Sequence, residues 1–535
     1  MREDTTCENL LPASATLVHL LDEGAPSHPA IRVPNGPSIT YDSLRSQVCF
    51  LAGQLNSLGL GHGDRVAIVL PNGLESIISF LAVTAAGATA ASLNPAATAD
   101  EFRFYLEDID PRALITPSQE GQEAREAAPA STIKIGASVD TDGQVSFSIP
   151  ETHASPSPAG HPSPDHVALT LHTSGTTSRP KRVPLTHENL AISARNVVET
   201  YELTADDVSL CIMPLFHIHG LVASTLATFL SGGTVVLPAR FSPLKFWPMV
   251  QEYEVTWFSA VPAMHLVLVN RARGKRGSGS TPDSYRGLRF IRSCSASLPA
   301  ATLAEMEELF GAPVLEAYGM TEAAHQMTSN PLPQDGERMP GSVGRPLGVS
   351  IAVMNKEGKI LPPGARGEVV IQGPTVIQGY ENNPEANATS FTDGWFRTGD
   401  EGIIDFEGYL TLVGRLKELI NYNGEKVSPS EIDEVLLAHP SVAEAVAFGL
   451  PHPIHGEEPC AVVVLRAPAT QASLVAHCRE RLTAFKCPKV IHIVDEIPKT
   501  ATGKVQRRVV AAAFSGRSTV SSKTNELAGA VADSE

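Results

Sequence analysis

Short apolar runs of strand length alternate with helix-length segments over the first three hundred residues of the chain. The apolar runs are RVAIVL (65–70), ALIT (113–116), VALTL (167–171), SLCIM (209–213), TVVLP (234–238), TWFSAV (256–261) and RFIRS (289–293). Segments such as GLESIISFLAVTAAGA (73–88) and ATLAEMEELFG (301–311) have the length of helices. Strands that alternate with helices predict parallel sheets whose faces are covered by helices. The pattern therefore indicates an α/β fold.

The character of the sequence changes after about residue 340. GEVVIQG (367–373) and GIIDFEGYLTLVG (402–414) are close-spaced strands, and Glu407-Gly408 in the second is a turn signal. These strands predict a small antiparallel or barrel-like unit. From residue 415 a compact α+β pattern follows, which is typical of a separate small domain.

The length of 535 residues predicts two or more domains, because single cores stop growing well below that size. We expect a large N-terminal domain over residues 1–414, built from two α/β subdomains and the small β unit. A mobile C-terminal α+β domain is expected over residues 415–514, followed by a disordered tail over 515–535. Residues 151–165 have the composition of a Pro/Ser linker, and 271–284 that of a flexible basic insertion.

Composition excludes several classes of function and site. A formal net charge of −17 disfavours nonspecific binding to nucleic acid. No apolar run has the length of a membrane span, and the seven cysteines include no C-x-x-C pair that would indicate a zinc site. The N-terminal sequence MREDTTCENL is unlike a secretory signal, so we expect a cytoplasmic protein. The ending ADSE is not a peroxisomal signal of the S-K-L type, although a peroxisomal location stays open.

The run HTSGTTSRPKRVPLTHEN (172–189) is dense in hydroxyl groups and lies between the strand VALTL and a helix start at Thr186. We interpret it as a strand-to-helix loop that surrounds phosphate oxygens with backbone N–H groups, hydroxyls and the ammonium of Lys181. The other residues of this set are Thr173, Ser174, Gly175, Thr176, Thr177 and Ser178. TTSRPKR follows Gly175 where a Walker A loop requires Gly-Lys-Ser/Thr, so the loop is of another type. A polar surface loop is the alternative that composition alone leaves open.

Further motifs follow the loop in a fixed order. They are LEAYGMTEAAH (315–325), GSVGRPLG (341–348), WFRTGDEG (395–402), GRLKELINYNGEKVSPSEID (414–433) and PKTATGKVQRR (498–508). Together with the loop they resemble the adenylate-forming superfamily of acyl-CoA synthetases, luciferases and peptide-synthetase adenylation domains. LTLHTSGTTSRPK, PLFHIHGL, RSCSASL, MTEAAHQMTSNPLP and LKELINYNGEK are similar to its oxalyl-CoA synthetase branch in plants and fungi. The resemblance implies an AMP-forming acid–thiol ligase that uses ATP, Mg²⁺ and CoA.

The resemblance also implies roles in the first half-reaction, in which a carboxylate is adenylated. Lys504 would bridge the attacking carboxylate and the α-phosphate, where negative charge accumulates. Glu322 would hold Mg²⁺ through hard oxygen ligands, and Thr321 would donate to the α-phosphate. Asp400 would accept both ribose hydroxyls. The other nucleotide-binding residues implied are Thr173, Ser174, Gly175, Thr176, Thr177, Lys181, Ser295, Ala296, Ser297, Tyr318, Gly319 and Arg415. Taken alone, a lysine in Thr-Gly-Lys is usually a solvated surface residue, and one tyrosine is usually a core residue.

In the second half-reaction a thiol must reach the same adenylate. By resemblance, the small domain rotates about a hinge at Lys417 and exposes the turn that contains Gly424 and Lys426 to the pantetheine. His217 resembles the residue that gates the pantetheine tunnel, although a histidine after Pro-Leu-Phe is also compatible with a strand-end cap.

Polar residues occur on the segments that, by resemblance, surround the acid. They are His219, Arg292, Ser293 and His325. A buried second carboxylate would require such partners, so oxalate or a similar di- or polycarboxylate is the favoured substrate. Histidines satisfied within the core are the alternative for each position. For the whole chain the alternatives are a ligase for another short or branched acid, and an impaired AMP- or CoA-binding homologue.

One residue departs from the family pattern. Arg182 follows Lys181 where the family usually has glycine, which tolerates backbone angles that an arginine resists. We expect Arg182 to adopt ordinary angles and to point outward or towards pyrophosphate. The alternative is a displaced loop and weak activity.

Overall fold

The computed structural model describes residues 16–149, 162–173, 180–276, 287–500 and 503–515. Most of the expected linker, the phosphate-loop residues 174–179, the later part of the basic insertion and the tail from residue 516 lie outside the described residues.

The described chain contains 26 strands. They are β1 (Pro29–Arg32), β2 (Ser38–Thr40), β3 (Arg65–Ile68), β4 (Thr89–Ser92), β5 (Ala113–Pro117), β6 (Ile133–Val139), β7 (Val145–Ser148), β8 (Val167–Thr173), β9 (Lys181–Thr186), β10 (Val208–Leu210), β11 (Thr234–Val236), β12 (Trp257–Ala260), β13 (Phe290–Ser293), β14 (Val314–Met320), β15 (His325–Ser329), β16 (Arg345–Pro346), β17 (Ser350–Met354), β18 (Arg366–Gln372), β19 (Phe391–Thr392), β20 (Trp395–Ile404), β21 (Leu410–Arg415), β22 (Ile420–Tyr422), β23 (Glu425–Val427), β24 (Val442–His452), β25 (Gly456–Leu465) and β26 (Val490–Ile493).

The α-helices of the described chain are α1 (Tyr41–Ser57), α2 (Leu74–Ala85), α3 (Ala99–Ile109), α4 (Gln122–Ala127), α5 (His187–Tyr201), α6 (Ala227–Leu230), α7 (Phe246–Glu252), α8 (Pro262–Arg276), α9 (Ala300–Phe310), α10 (Pro384–Ser390), α11 (Pro429–Leu437), α12 (Gln471–Arg479) and α13 (Arg507–Phe514). Short 3₁₀ segments cover Leu17–Leu21 and Thr321–Ala323, and a π-helical segment, His219–Leu226, precedes α6. No helix among the described residues is long and apolar enough to cross a membrane.

Two large sheets form the N-terminal domain, and both have parallel centres. One has the strand order β7-β6-β5-β3-β4-β8-β9, and the other β16-β15-β14-β13-β12-β10-β11-β1-β2. Antiparallel pairs occur only towards the edges, as in β8–β9, β14–β15 and β1–β2. Every apolar run that the sequence analysis assigned to a strand lies in one of these sheets, so the α/β prediction is confirmed.

Two smaller sheets follow. Strands β17 to β21 form a five-stranded antiparallel sheet, which confirms the antiparallel unit expected after residue 340. Strands β22 to β26 form a second five-stranded sheet. Helices α11, α12 and α13 accompany it, and its two buried clusters contain residues between Ile420 and Phe514 only. The small C-terminal domain thus has its own core.

The strand-to-helix interpretation of residues 172–189 is wrong in one respect. Strand β9 pairs antiparallel with β8, so the phosphate-loop residues join two strands of a hairpin and the helix begins only after β9. Pro184 concealed this strand in the sequence. It pairs with Thr170 on the edge of the sheet, where a missing N–H costs no ladder hydrogen bond.

The basic insertion also begins later than expected. Helix α8 continues to Arg276, so residues 271–276 are helical rather than part of a flexible insertion. The Gly/Ser-rich run GSGS (277–280) begins only after this point.

Helix α5 begins where the sequence predicted, and its first turn is closed by a capping box. The Thr186 hydroxyl accepts from the Asn189 N–H at 3.1 Å, and the Asn189 side chain accepts from the Thr186 N–H at 2.9 Å. These bonds satisfy two N–H groups at the junction between the hairpin and α5.

Replacing Thr186 by alanine is expected to lower the stability of the large domain by about 1 kcal/mol, because one helix N–H then loses its partner. Thr186→Ser keeps the hydroxyl and should stay close to wild type. Differential scanning calorimetry compares the two variants. Equal destabilisation by both would mean that the threonine methyl group, and not the cap, is the stabilising feature.

Candidate active site

Most of the candidate residues lie at the carboxyl ends of neighbouring parallel strands. Strands β12 and β13 pair so that Ser259 lies beside Arg292 and Ala260 beside Ser293. Strand β14, next in the sheet, contains Tyr318 and Gly319 near its carboxyl end, and Glu322 follows in the short 3₁₀ segment. Ligands of open α/β sheets bind at this edge, because loops there diverge and leave a crevice.

Arg292 is a buried guanidinium with neutral partners. It is 0% exposed, and it donates to Tyr201 Oη at 2.8 Å, Ser259 Oγ at 3.0 Å and Gln326 Oε1 at 3.1 Å. Within the described part of the chain no carboxylate forms an ion pair with it. A buried charge without a counter-charge is costly, so this site favours a ligand that brings a negative charge.

Two buried histidines lie beside Arg292. His219 makes contacts of 2.6 Å from Nε2 to Ser259 Oγ and 3.2 Å from Nδ1 to Ser295 Oγ, and its ring stacks on His325 at 5.1 Å. Burial, followed by the charge of Arg292, lowers the pKa of both histidines well below the usual value. Both are therefore neutral at physiological pH and serve as hydrogen-bonding groups rather than as cations.

Some polar atoms of this cluster have no hydrogen-bond partner. His325 Nε2 and Ser293 Oγ are buried and unpaired in the protein as described. The backbone is also strained here, because Ser295, Ala324 and His325 have φ values of 74°, 51° and 111°. Unpaired donors and strained residues beside a buried cation are features of a binding pocket for a small polar molecule.

Two glycines permit the close packing of this region. A Cβ atom at Gly220 would lie 2.4 Å from the carbonyl oxygen of Pro214, and one at Gly319 would lie 1.9 Å from that of His325. The first contact allows the π-helical segment that carries His219 to begin against the preceding loop. The second allows β14 and β15 to approach each other beside Tyr318.

Glu322 lies beside Tyr380 and Lys181 in the candidate site. Tyr380 donates to its Oε1 at 2.9 Å, and the ammonium of Lys181 lies 4.3 Å from the centre of the Tyr380 ring. Burial lowers the pKa of Lys181, the charge of Glu322 raises it, and the charge of Lys417 lowers it further. The three charges therefore lie close together. The described residues include no group of three or more histidine, cysteine or acidic side chains that could hold a metal. One or two carboxylates combined with phosphate oxygens nevertheless suffice for Mg²⁺, so Glu322 fits that role.

Asp400 is the second buried carboxylate. Tyr318 donates to its Oδ2 at 2.5 Å, and Arg415 Nε lies 2.9 Å from its Oδ1. Burial raises the pKa of Asp400 while Arg415 lowers it. Each carboxylate oxygen keeps a lone pair beyond these bonds, so the group can still accept from a diol.

Lys504 reaches this group from the C-terminal domain. Lys504 is exposed to solvent, although nearby protein atoms partly desolvate its ammonium. Desolvation and then Arg415 lower its pKa, while Asp400, Glu418 and Glu322 raise it. The same ammonium contributes to lowering the pKa of the half-buried His217 to about 4, although burial is the larger cause. Lys504 therefore lies within electrostatic reach of both carboxylates and of His217.

The remaining candidates are more dispersed. Thr173 is partly buried at the end of β8, Thr321 is partly buried after β14, and Ala296 and Ser297 are exposed after β13. Lys417 lies exposed between β21 and β22, and Gly424 and Lys426 lie on the exposed β22–β23 hairpin. Among the described residues no hydrogen bond or ion pair joins that hairpin to the large domain. Ser174, Gly175, Thr176 and Thr177 lie outside the described residues.

Arg182 has ordinary backbone angles in β9, as expected, but the expected direction of its side chain is wrong. The side chain is buried between Asp108 and Glu381 instead of pointing outward or towards a phosphate.

Sequence reasoning missed four polar residues of the site: Ser259, Tyr201, Gln326 and Tyr380. The serine could have been found, because it is the one hydroxyl side chain of β12 (Trp257–Ala260), within the run TWFSAV. Gln326 could also have been found, because it follows His325 within the motif MTEAAHQMTSNPLP. Tyr201 and Tyr380 lie outside the motifs, and no local pattern marks them.

Comparisons with known proteins agree with this geometry. The AMP-binding enzyme family matches residues 22–381, and the AMP-binding enzyme C-terminal domain matches residues 431–504. The chain is 48% identical to an oxalate–CoA ligase of Arabidopsis thaliana, over 94% of this chain and 99% of that protein. It is 43% identical to an oxalate–CoA ligase of Saccharomyces cerevisiae, over 86% of this chain and 88% of the relative.

Among solved structures, ATP-bound MatB from Rhodopseudomonas palustris superposes with a TM-score of 0.84 at 33% identity, covering 94% of this chain and 99% of that one. The match extends over both the large domain and the small one. The chain therefore belongs to the AMP-binding enzyme family.

Proposed function

We propose that this protein is an oxalate–CoA ligase, or a ligase for a closely similar small dicarboxylate. The reaction class follows from the family: the chain is an AMP-forming acid–thiol ligase that uses ATP, Mg²⁺ and CoA. The identity of the acid is the part that we propose. The observation that carries it is the buried Arg292, whose charge has no ion-pair partner among the described residues.

The acid would lie between Arg292 and the phosphate side of the crevice. One carboxylate would face His219, Ser293 and His325, where buried polar atoms have no partner and Arg292 supplies positive charge. The other carboxylate would face Lys504 and the nucleotide. A monocarboxylate with an alkyl chain would leave the positive charge unpaired and bury apolar groups against polar ones.

The first half-reaction joins the acid to AMP. A carboxylate oxygen attacks the α-phosphorus of ATP, a new P–O bond forms, and the bond to pyrophosphate breaks. Lys504 stabilises the added negative charge in the transition state, and Lys181 lies at the pyrophosphate side. Asp400 with Arg415 holds the ribose, and Tyr318 lies beside the adenine. Glu322 would hold Mg²⁺, which would offset the negative charge of the phosphate oxygens.

The second half-reaction transfers the acyl group to CoA. The thiolate sulfur attacks the acyl carbon, and AMP leaves with the oxygen that it gained. Lys504 reaches the site from the small domain, so a rotation at Lys417 would withdraw it and bring Gly424 and Lys426 to the pantetheine. His217 would control entry of the thiol, a role supported by its position within electrostatic reach of Lys504 and two residues before His219.

We also propose domain limits of 1–414 and 415–514. The limit at Arg415 is supported by the separate cores of the small domain and by the position of Lys417 between β21 and β22.

A substrate panel tests the proposed acid. Pyrophosphate release and CoA thioester formation are measured with oxalate, malonate, succinate, glycolate, butyrate and hexanoate. We expect kcat/KM for oxalate or a close diacid to exceed that for the alkyl acids. A preference for hexanoate would overturn the assignment. Binding of MgATP without turnover of any acid would instead favour an impaired homologue.

Arg292→Met should lower kcat/KM for the preferred diacid by about a hundredfold, because a desolvated carboxylate loses its cation. The alkyl acids should lose far less. Arg289→Met is the matched control, since Arg289 pairs with Asp207 at 2.6 Å just before β13 begins, at the opposite end of that strand from the pocket. An equal loss with every acid would show that Arg292 only supports the fold.

Lys504→Ala should slow adenylation by roughly 10²- to 10³-fold, the scale of losing one preorganised charge donor. Thioester formation from supplied acyl-adenylate should be spared, because Lys504 acts in only one domain orientation. The control is Lys499→Ala, which removes a lysine of the same segment that pairs with Glu444 at 2.7 Å. Equal losses in the two half-reactions would contradict the proposed domain rotation.

A further inference from the structure

Arg182 lies in a small ionic cluster behind the phosphate side of the site. Its side chain is 3% exposed, its Nε lies 2.6 Å from Glu381 Oε2, and its Nη1 lies 3.4 Å from Asp108 Oδ2. The N–H at Nε is not directed at the Glu381 oxygen as in a hydrogen bond, so the 2.6 Å contact is an ion pair held by charge. Nη1 also donates to the main-chain carbonyl of Asp108.

The cluster fixes the hairpin formed by β8 and β9. Arg182 pairs with His172 across the two strands, and His172 Nε2 lies 2.8 Å from the same Asp108 Oδ2. One carboxylate near the end of α3 thus contacts both strands. Burial lowers the pKa of His172, so it contacts Asp108 as a neutral partner at physiological pH.

A second set of bonds ties this hairpin to Tyr380 and Glu322. The Glu381 N–H donates to the Arg182 carbonyl at 3.0 Å, in addition to the ion pair between the two side chains. Tyr380, the preceding residue, carries the hydroxyl that donates to Glu322 and the ring beneath Lys181. The N–H of Ile377 donates to the Glu322 carbonyl at 2.9 Å, so segment 377–381 bridges β9 and Glu322.

We infer that Arg182 is a positioning residue of the nucleotide site, which holds Lys181, Tyr380 and Glu322 in register through its contacts with Asp108 and Glu381. This inference rests on the proposed function for the identity of the nucleotide site. A glycine at position 182 would leave the carboxylates of Asp108 and Glu381 without their cation. Among the contacts described above, the main-chain hydrogen bond from Glu381 to residue 182 would then be what ties the hairpin to segment 377–381.

Arg182→Met tests the inference, because it removes the charge and keeps most of the side-chain volume. Calorimetric titration with MgATP in the absence of acid should show binding weakened by about tenfold, and the KM for MgATP should rise similarly. The KM for the acid should change by less than about twofold. Arg182→Lys, which restores the charge, should recover more than half of the loss on a logarithmic scale.

Two controls separate positioning from stability. Arg112→Met breaks a 3.0 Å ion pair with Asp64 at the amino ends of β3 and β5, in the same sheet as the hairpin. This variant should leave MgATP binding unchanged. Tyr380→Phe removes the hydroxyl that contacts Glu322. If Arg182 acts through Tyr380, the two effects should not be independent. The double variant Arg182→Met/Tyr380→Phe should then weaken MgATP binding by clearly less than the product of the two single fold-changes.

MgATP binding by Arg182→Met within twofold of wild type would overturn the inference, as would strictly multiplicative effects with Tyr380→Phe. Should Arg182→Met fail to fold, Asp108→Asn and Glu381→Gln weaken the same ion pairs from their exposed side and give the same readout. A wild-type protein that binds MgATP but adenylates no acid would refute the proposed function and leave this binding test valid.

Discussion

The side of the crevice to which we assign the substrate acid depends on the buried positive charge of Arg292. The parallel register of β12 and β13 brings Ser259 beside it, and Tyr201 and Gln326 complete a shell of neutral acceptors. Neutral acceptors orient the guanidinium but do not cancel its charge, and that charge helps to keep His219 and His325 unprotonated. Among the residues that the structure describes, Arg292 alone therefore makes this pocket cationic, and the histidines are available as neutral donors. Its electrostatic character can be changed at a single position.

The side of the crevice to which we assign the phosphates has the opposite organisation. There the two buried carboxylates, Glu322 and Asp400, are each held by a tyrosine hydroxyl, and the cations Lys181, Arg415 and Lys504 approach them from three different elements. A chain with a formal charge of −17 thus concentrates positive charge where an anionic nucleotide would bind. Because Lys504 belongs to the small domain, this concentration depends on the orientation of that domain.

Much of this architecture could be predicted from the sequence, because strand and helix periodicities are local. The motifs also predicted roles for Lys504, Glu322 and Asp400, and the fold brings these three residues near one another from distant segments. Two predictions failed for reasons that are also local. Pro184 concealed the edge strand β9, and the basic composition of residues 271–276 concealed the last turn of α8. The direction of Arg182 could not be predicted, because its partners Asp108 and Glu381 lie 74 residues before it and almost two hundred after it. Tyr380 was missed for the same reason.

The arrangement of the two sides of the crevice determines how the acyl-adenylate would be retained under the proposed function. Under the proposed function, adenylation removes the charge of one carboxylate and leaves the other unchanged. Rotation of the small domain would then withdraw Lys504, while Arg292 lies on β13 of the large domain and does not move with it. A dicarboxylic acyl-adenylate would keep its ion pair throughout the rotation, whereas the adenylate of an alkyl acid would have none. Selection for a second carboxylate would thus operate in both half-reactions, and it would rest each time on the same buried guanidinium.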